Sequence, residues 1–345
     1  MEIFLRVAIF SQTFGIAKLQ QPRHYADAWL DDDFYKLDYI LEDSRRVNTQ
    51  TEPGQVEYAM HARLGWAPKV TEENPLGIVT DQPYEAHELG SPILFFGDSY
   101  VDGPEPMPNK LPQLLAPLVP ERRVLNYGVS GYGVDQIYLR FLDAFEQHDN
   151  PIVLIGIQDR DLDRTILTIR NRQKPLLSIE NGELVVGNLP IRDTAEFVED
   201  NPVEINSYLL RFVLIRLRML GAEALVDRML GYDQRQELKL QLNRRILEAL
   251  KERAVASGIQ LYVVLFYVEN DMYEVDWREV FLKDTLNDLG IQYFDTKTHL
   301  LNLLALKGGE VGDYWSDEHG HPNRDGNRVF ARGIADWLEE IEAAR

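Results

Sequence analysis

The sequence predicts an α/β fold, a three-layer sandwich whose central parallel sheet of about five strands carries helices on both faces. Three observations lead there. Short, continuous apolar runs, Ile93-Leu94-Phe95-Phe96 and Ile152-Val153-Leu154-Ile155 among them, end at a glycine, as a strand covered on both faces does. From Ser91 onward such runs alternate with longer amphipathic segments. Two of those segments are followed by Gly258 and Gly290, the residue type at which helices commonly stop.

In chain order, residues 1–88 read as an N-terminal extension packed on the core. Within it, 29–41 has helical spacing, with Leu30, Phe34, Leu37 and Ile40 or Leu41 on one face, while 48–54 and 73–77 are rich in turn formers. An α/β domain is expected over 89–345. Its strands are placed at 93–97, 124–128, 151–157, 261–268 and 291–295, and its main helices at 135–147, 234–257, 277–289 and 327–344. An insertion of about 161–234 separates the third and fourth strands. It holds a hairpin around Asn181-Gly182, a pair suited to a type I′ turn. It also holds a helix over 207–218 expected to turn Leu209, Leu210, Phe212, Val213 and Leu217 inward. An insertion at the strand ends of such a sheet is well placed to form a lid or roof over a site.

Composition narrows the function. A chain of 345 residues can bury a sizeable core, and 45% hydrophobic with 27% charged residues is ordinary for a soluble protein. The excess of 56 Asp+Glu over 36 Lys+Arg gives a formal charge of -20, which argues against a nucleic-acid partner and offers no polybasic patch for anionic lipid. The absence of cysteine excludes disulfides, thiol nucleophiles and Cys-ligated zinc. The opening residues are interrupted by Glu2 and Arg6 and read as neither a secretory signal nor a membrane span. A cytoplasmic location is expected of the chain as it stands, although removal of an upstream anchor would leave the same sequence. No feature of the sequence sets an oligomeric state.

The first strand delivers Ser99 to the turn Gly97-Asp98-Ser99, and the carboxyl ends of strands are where open α/β sheets place their ligands. Ser99 is therefore the candidate nucleophile, although Gly, Asp and Ser each favour turns for their own reasons. After the second strand, 126–133 is dense in glycine, and a loop of that kind exposes backbone N–H groups able to face an oxyanion. At the end of the third strand, Gln158 can donate its amide to the same oxyanion or brace the loop. Before the last helix, 316–327 supplies His319 and His321 with Asp317, Glu318 and Asp325 nearby. An imidazole oriented by an acid is the base that turns a hydroxyl into a nucleophile.

Gly97-Asp98-Ser99 with Gly103, then Gly131, then Gly156-x-Gln158-Asp159, then His321-Pro322-Asn323-x-x-Gly326, together resemble the SGNH/GDSL hydrolase superfamily in motif and in order. The resemblance covers about residues 91–345 and implies an SGNH-hydrolase, flavodoxin-like sheet. It implies Ser99 as nucleophile, and the N–H groups of Ser99 and Gly131 with the Gln158 side chain as oxyanion donors. His321 is implied as the base. Two positions depart from the family pattern: Gln158 stands where an Asn is usual, and Glu318 occupies the usual place of the acid, with Asp317 one residue earlier. Asp317 and Glu318 both stay candidates, and His319 is the runner-up base.

The histidines and carboxylates of 317–325 could instead converge on a divalent ion, but a metal site explains neither Ser99 nor the glycine loop. No metal or other cofactor is expected. Arg160 and Arg164, at helical spacing, read as a solvated or salt-bridged face, or as a contact for a substrate carboxylate or sugar. The expected function is a serine-dependent hydrolase of small-molecule or glycan esters, with removal of acetyl groups from carbohydrate implied by the resemblance. The alternatives are acyl transfer to a sugar hydroxyl by the same machinery, and a catalytically weak relative that binds a glycan or a protein.

Overall fold

The apolar runs become five strands of one parallel sheet. The computed structural model describes residues 1–11, 13–42, 57–80, 90–170, 172–316 and 320–344. The strands are β1 (Gly90–Gly97), β2 (Arg122–Gly128), β3 (Ile152–Gln158), β4 (Gln260–Phe266) and β5 (Tyr293–Asp295). They lie in the order β2-β1-β3-β4-β5, every neighbouring pair parallel. The chain leaves β1 for the edge strand β2 and returns past it to β3, so the order reverses between β1 and β3. A crevice outside the carboxyl ends of those two strands is where such a sheet takes its ligands.

Both faces of the sheet are covered. Phe96 pairs in register with Ile155, and Ile155 with Val263, which puts Phe96 and Phe266 on opposite faces. On the first face Phe141 of the helix Val134–Ala144 meets Phe96 edge-on at 5.9 Å. On the other, Phe330 and Trp337 of the helix Arg324–Ala343 pack on Phe266 and Tyr262. β3, central and buried along its whole length, explains why its sequence shows no alternation. A helix not expected from the sequence, Thr296–Lys307, starts directly after β5 because Asp295 caps it, accepting the N–H groups of Lys297 and Thr298.

Three adjacent strands carry glycines at or near their carboxyl ends that leave space for the turn carrying Ser99. That turn is a single helical one, Ser99–Asp102. A Cβ at Gly97 would overlap the Val101 side chain, one at Gly128 would overlap the Asp102 backbone nitrogen, and one at Gly156 would come within 2.5 Å of Val101 and 2.9 Å of Phe266. The serine turn thus sits in a notch made by the ends of β1, β2 and β3.

The chain divides into two units. The first comprises Met1–Gln50, Met60–Trp66 and Asp163–Leu242; the second, Thr51–Ala59, Ala67–Leu162 and Asn243–Arg345, holds the sheet. Both the N-terminal segment and the inserted segment contribute to the first unit. Leu5, Ile9, Tyr25 and Leu37 from one share a core with Ile205 and Tyr208 from the other. Glu2, on the helix Glu2–Phe10, accepts from the Leu209 and Tyr208 N–H groups and the Ser207 hydroxyl at the start of the helix Tyr208–Leu217. The Leu209 N–H foremost among these holds the Glu2 carboxyl at about 2. Arg218 bridges Asp27 and Asp227, and Arg211 reaches Asp31.

The inward face of the Tyr208–Leu217 helix differs from the expected one. Tyr208, Leu214 and Ile215 are buried and Leu209 and Phe212 pack on the core, but Leu210, Val213 and Leu217 face solvent. The helix is apolar nearly all round, so spacing alone cannot choose its face; the docking of Glu2 at its first turn does. In the helix Asp32–Glu42 the choice left open between Ile40 and Leu41 falls to Leu41, which packs beside Leu37 while Ile40 is exposed. The hairpin follows its sequence: Leu176–Glu180 pairs antiparallel with Glu183–Gly187, and Asn181 and Gly182 have φ of 52° and 86°, as a type I′ turn requires.

Candidate active site

Ser99 begins the helical turn that follows β1, and Asp98 caps that turn by accepting the Tyr100 N–H at 2.8 Å. The cap fixes where Ser99 points. Its Oγ lies 2.8 Å from His321 Nε2 and 3.3 Å from Asp98 Oδ2. Ser99 and His321 are both half-buried, so the pair meets solvent on one side.

His321 reaches this position through a short, heavily tied loop. Trp315 and Pro322 form an antiparallel bridge, and the Ser316 N–H donates to the His321 carbonyl at 2.9 Å. Asn323 then caps the helix Arg324–Ala343, accepting from Asp325 and Gly326 N–H, while its amide donates to the carbonyls of Asp313 and Trp315. Gly326 is needed because a Cβ there would overlap the Tyr314 carbonyl oxygen. Each residue of His321-Pro322-Asn323-x-x-Gly326 therefore has a local reason that ends in presenting the imidazole. The Tyr100 ring supports it from below, 5.0 Å from the imidazole centroid, with the Tyr100 hydroxyl 3.5 Å from the Gly320 carbonyl. Asp317, Glu318 and His319, the candidate acids and the runner-up base, lie outside the described residues.

Gly131 lies in the turn after β2, with φ of 87°, a conformation open to glycine. The Val129 N–H donates to the Gly97 carbonyl at 2.9 Å, which ties this loop to the strand carrying Ser99. Gln158 ends β3 on the Phe266 face, with which it pairs in register, and it is buried. Its backbone N–H donates to Asp161, and its side-chain amide donates to Asp159 Oδ1. One amide hydrogen of Gln158 is therefore engaged by its own neighbour.

Asp159 is fully buried. Burial, reinforced by the carboxylates of Asp271 and Asp276, pushes its carboxyl up to about 8. A carboxyl raised on folding binds its proton in the folded chain at pH values where the unfolded chain has lost it. The stability it confers is complete below the unfolded pKa and is lost as pH climbs toward 8. Asp159→Asn, which cannot ionise, is expected to gain melting temperature over the native protein between about pH 5 and about pH 8.5. The same difference between the two proteins at both pH values would show that Asp159 does not titrate in this way.

Arg160 pairs with Asp271 at 3.1 Å, and Arg164 is buried in the first unit. Among the described residues, no group of three His, Asp or Glu side chains could hold a metal ion, and no helix is long and apolar enough to cross a membrane. Asp102, Tyr58 and Tyr100 converge on the site without having been singled out by sequence. The one available sign was the position of Asp102, one helical turn beyond Ser99.

The arrangement can activate a hydroxyl: a serine at a strand end touches an imidazole, with a glycine loop and a buried amide on the neighbouring strands. A family model described as the GDSL-like lipase/acylhydrolase family matches residues 95–329. No curated protein is matched by the sequence. Among solved structures, Axe2, an acetylxylan esterase from Geobacillus stearothermophilus, is similar at 17% identity and a TM-score of 0.39, over 71% of this chain and 93% of that one. LAE5, an alpha/beta hydrolase enzyme from the metagenome of Lake Arreo, is similar at 14% identity and a TM-score of 0.41, over 71% and 94%. A member of the lipolytic protein G-D-S-L family from Veillonella parvula is similar at 15% identity and a TM-score of 0.36, over 72% and 97%.

Proposed function

The chain belongs to the GDSL-like lipase/acylhydrolase family and is an ester hydrolase of the SGNH type; from that premise we propose that it works through a Ser99 acyl-enzyme, with His321 as its base. The observation that carries this reading is the 2.8 Å approach of Ser99 Oγ to His321 Nε2. In the first half-reaction Ser99 Oγ forms a bond to the acyl carbon while its proton passes to His321 Nε2. The tetrahedral oxyanion is met by the N–H groups of Ser99 and Gly131 and by the Gln158 amide. The intermediate collapses as the carbon–oxygen bond to the alcohol breaks, and His321 returns the proton to that alcohol. In the second half, water gives a proton to His321 and its oxygen to the acyl carbon; the bond from that carbon to Ser99 Oγ then breaks as His321 returns the proton to Oγ, freeing the acid and restoring the serine. Asp317 or Glu318 orients the imidazole.

Acetylated carbohydrate is the substrate class implied by the resemblance. The test is covalent labelling by a fluorophosphonate, followed by turnover of p-nitrophenyl acetate and of acetylated xylooligosaccharide. The expected result is one label per chain, on Ser99, with both label and turnover abolished in Ser99→Ala. A native protein that takes no label and turns over neither ester sinks the proposal. Turnover of the nitrophenyl ester alone would retain the mechanism and remove the carbohydrate.

A further inference from the structure

Asp102 closes the helical turn that Ser99 opens, and its carboxylate is buried. A buried carboxylate is costly unless its oxygens are occupied. Here Oδ2 accepts from the Tyr58 hydroxyl at 2.7 Å, from the Ser130 N–H at 3.2 Å and from the Ser130 hydroxyl. The Lys110 ammonium lies 3.7 Å from Oδ1 and donates to the Gly103 carbonyl. Burial, with the Asp102 charge beside it, pushes the Tyr58 hydroxyl well above its ordinary value, so it stays protonated and a donor.

The pattern of donors is informative. If Asp102 served only to neutralise Lys110, the closest contacts would lie on that side. Instead three neutral donors crowd Oδ2, and two of them belong to Ser130, the residue before Gly131. The start of the glycine loop is tied to the serine turn in another way: Asn126 accepts the Gly128 N–H at 2.9 Å and donates to the Val101 carbonyl at 3.1 Å. Asp102 supplies the tie at the other end, next to the amide that must meet the oxyanion. Spreading its charge over three donors and an ammonium also limits the repulsion it would exert on an oxyanion forming nearby.

We propose that Asp102 is a positioning residue that clamps Ser130, and through it the Gly131 N–H, to the nucleophile turn, so that two oxyanion donors are carried by one rigid piece. Tyr58 is the outer brace of the clamp. This rests on the reading of Ser99 and Gly131 as oxyanion donors, and the experiment separates the two.

The full chain is compared with Asp102→Asn, Ser130→Ala and Tyr58→Phe for kcat and KM on p-nitrophenyl acetate, for inhibition by an arylboronic acid, and for melting temperature. The boronate adds to the serine as a tetrahedral anion and so reports the oxyanion site without turnover. Asp102→Asn is expected to lose about 100-fold in kcat with KM within about threefold, and boronate affinity should fall in parallel. Ser130→Ala should lose about tenfold and Tyr58→Phe about threefold, again with matching boronate losses. A lower melting temperature with unchanged kcat, or a lower kcat with unchanged boronate affinity, overturns the clamp. If Asp102→Asn does not fold, the two outer variants decide by the same comparison. A native protein without Ser99-dependent turnover removes the underlying reading and the clamp with it, an outcome distinct from an active native protein whose variants are unimpaired.

Discussion

His321→Ala is expected to lower kcat on an acetyl ester by about 10⁴-fold or more while leaving the sheet intact. The size follows from what the imidazole does. A serine hydroxyl is a poor nucleophile at neutral pH, and the contact at 2.8 Å gives its proton somewhere to go as the bond to carbon forms. In the proposed mechanism the same nitrogen returns the proton to the leaving alcohol, so both half-reactions are expected to suffer. KM should change little, since the ring touches the reacting atoms rather than the rest of the substrate. Far-ultraviolet circular dichroism and melting temperature, read beside stopped-flow kinetics, separate this from misfolding: the loop is held by Trp315, Ser316 and Asn323 through backbone and amide contacts that the substitution leaves in place. A loss of less than about tenfold would mean that another group accepts the proton.

The second large effect is expected at Gln158. Gln158→Ala removes a side-chain donor from the end of the strand beside Ser99, and deletion of one oxyanion donor costs about 10²–10³ in kcat. Gln158→Asn is the sharper test. It restores the amide of the usual family residue but draws it back by one methylene, in a pocket where the Gln amide already reaches Asp159. If the longer side chain is fitted to this site, Asn should rescue Ala only partly, leaving about a tenfold deficit in kcat with KM near native. Full activity in Gln158→Ala would assign the oxyanion to the backbone donors of Ser99 and Gly131 alone.

The sheet was legible because its strands are buried on both sides. An apolar run such as 152–157 has few other readings, and the glycines that close the apolar runs of β1 and β3 mark where strand gives way to site. The site was legible for a related reason: Gly326 and Asn323 are local necessities of the loop that presents His321, so they leave a motif in the sequence. What escaped is long-range or degenerate. The side of the Tyr208–Leu217 helix that faces inward is chosen by Glu2, more than two hundred residues earlier, and an all-round apolar helix carries no record of that choice. The helix Thr296–Lys307 follows its strand with no intervening loop, which hides the boundary. Tyr58 and Asp102 meet across 44 positions, a spacing that no local pattern encodes.

Ser99 and His321, the proposed nucleophile and base, are 222 residues apart, one on the turn after the first strand of the sheet and the other before the final helix. Closing so long a loop is slow and comes at an entropic cost that earlier, more local contacts do not meet. If His321 is the base, catalytic competence reports complete folding, and on refolding the return of turnover is expected to trail the return of secondary structure.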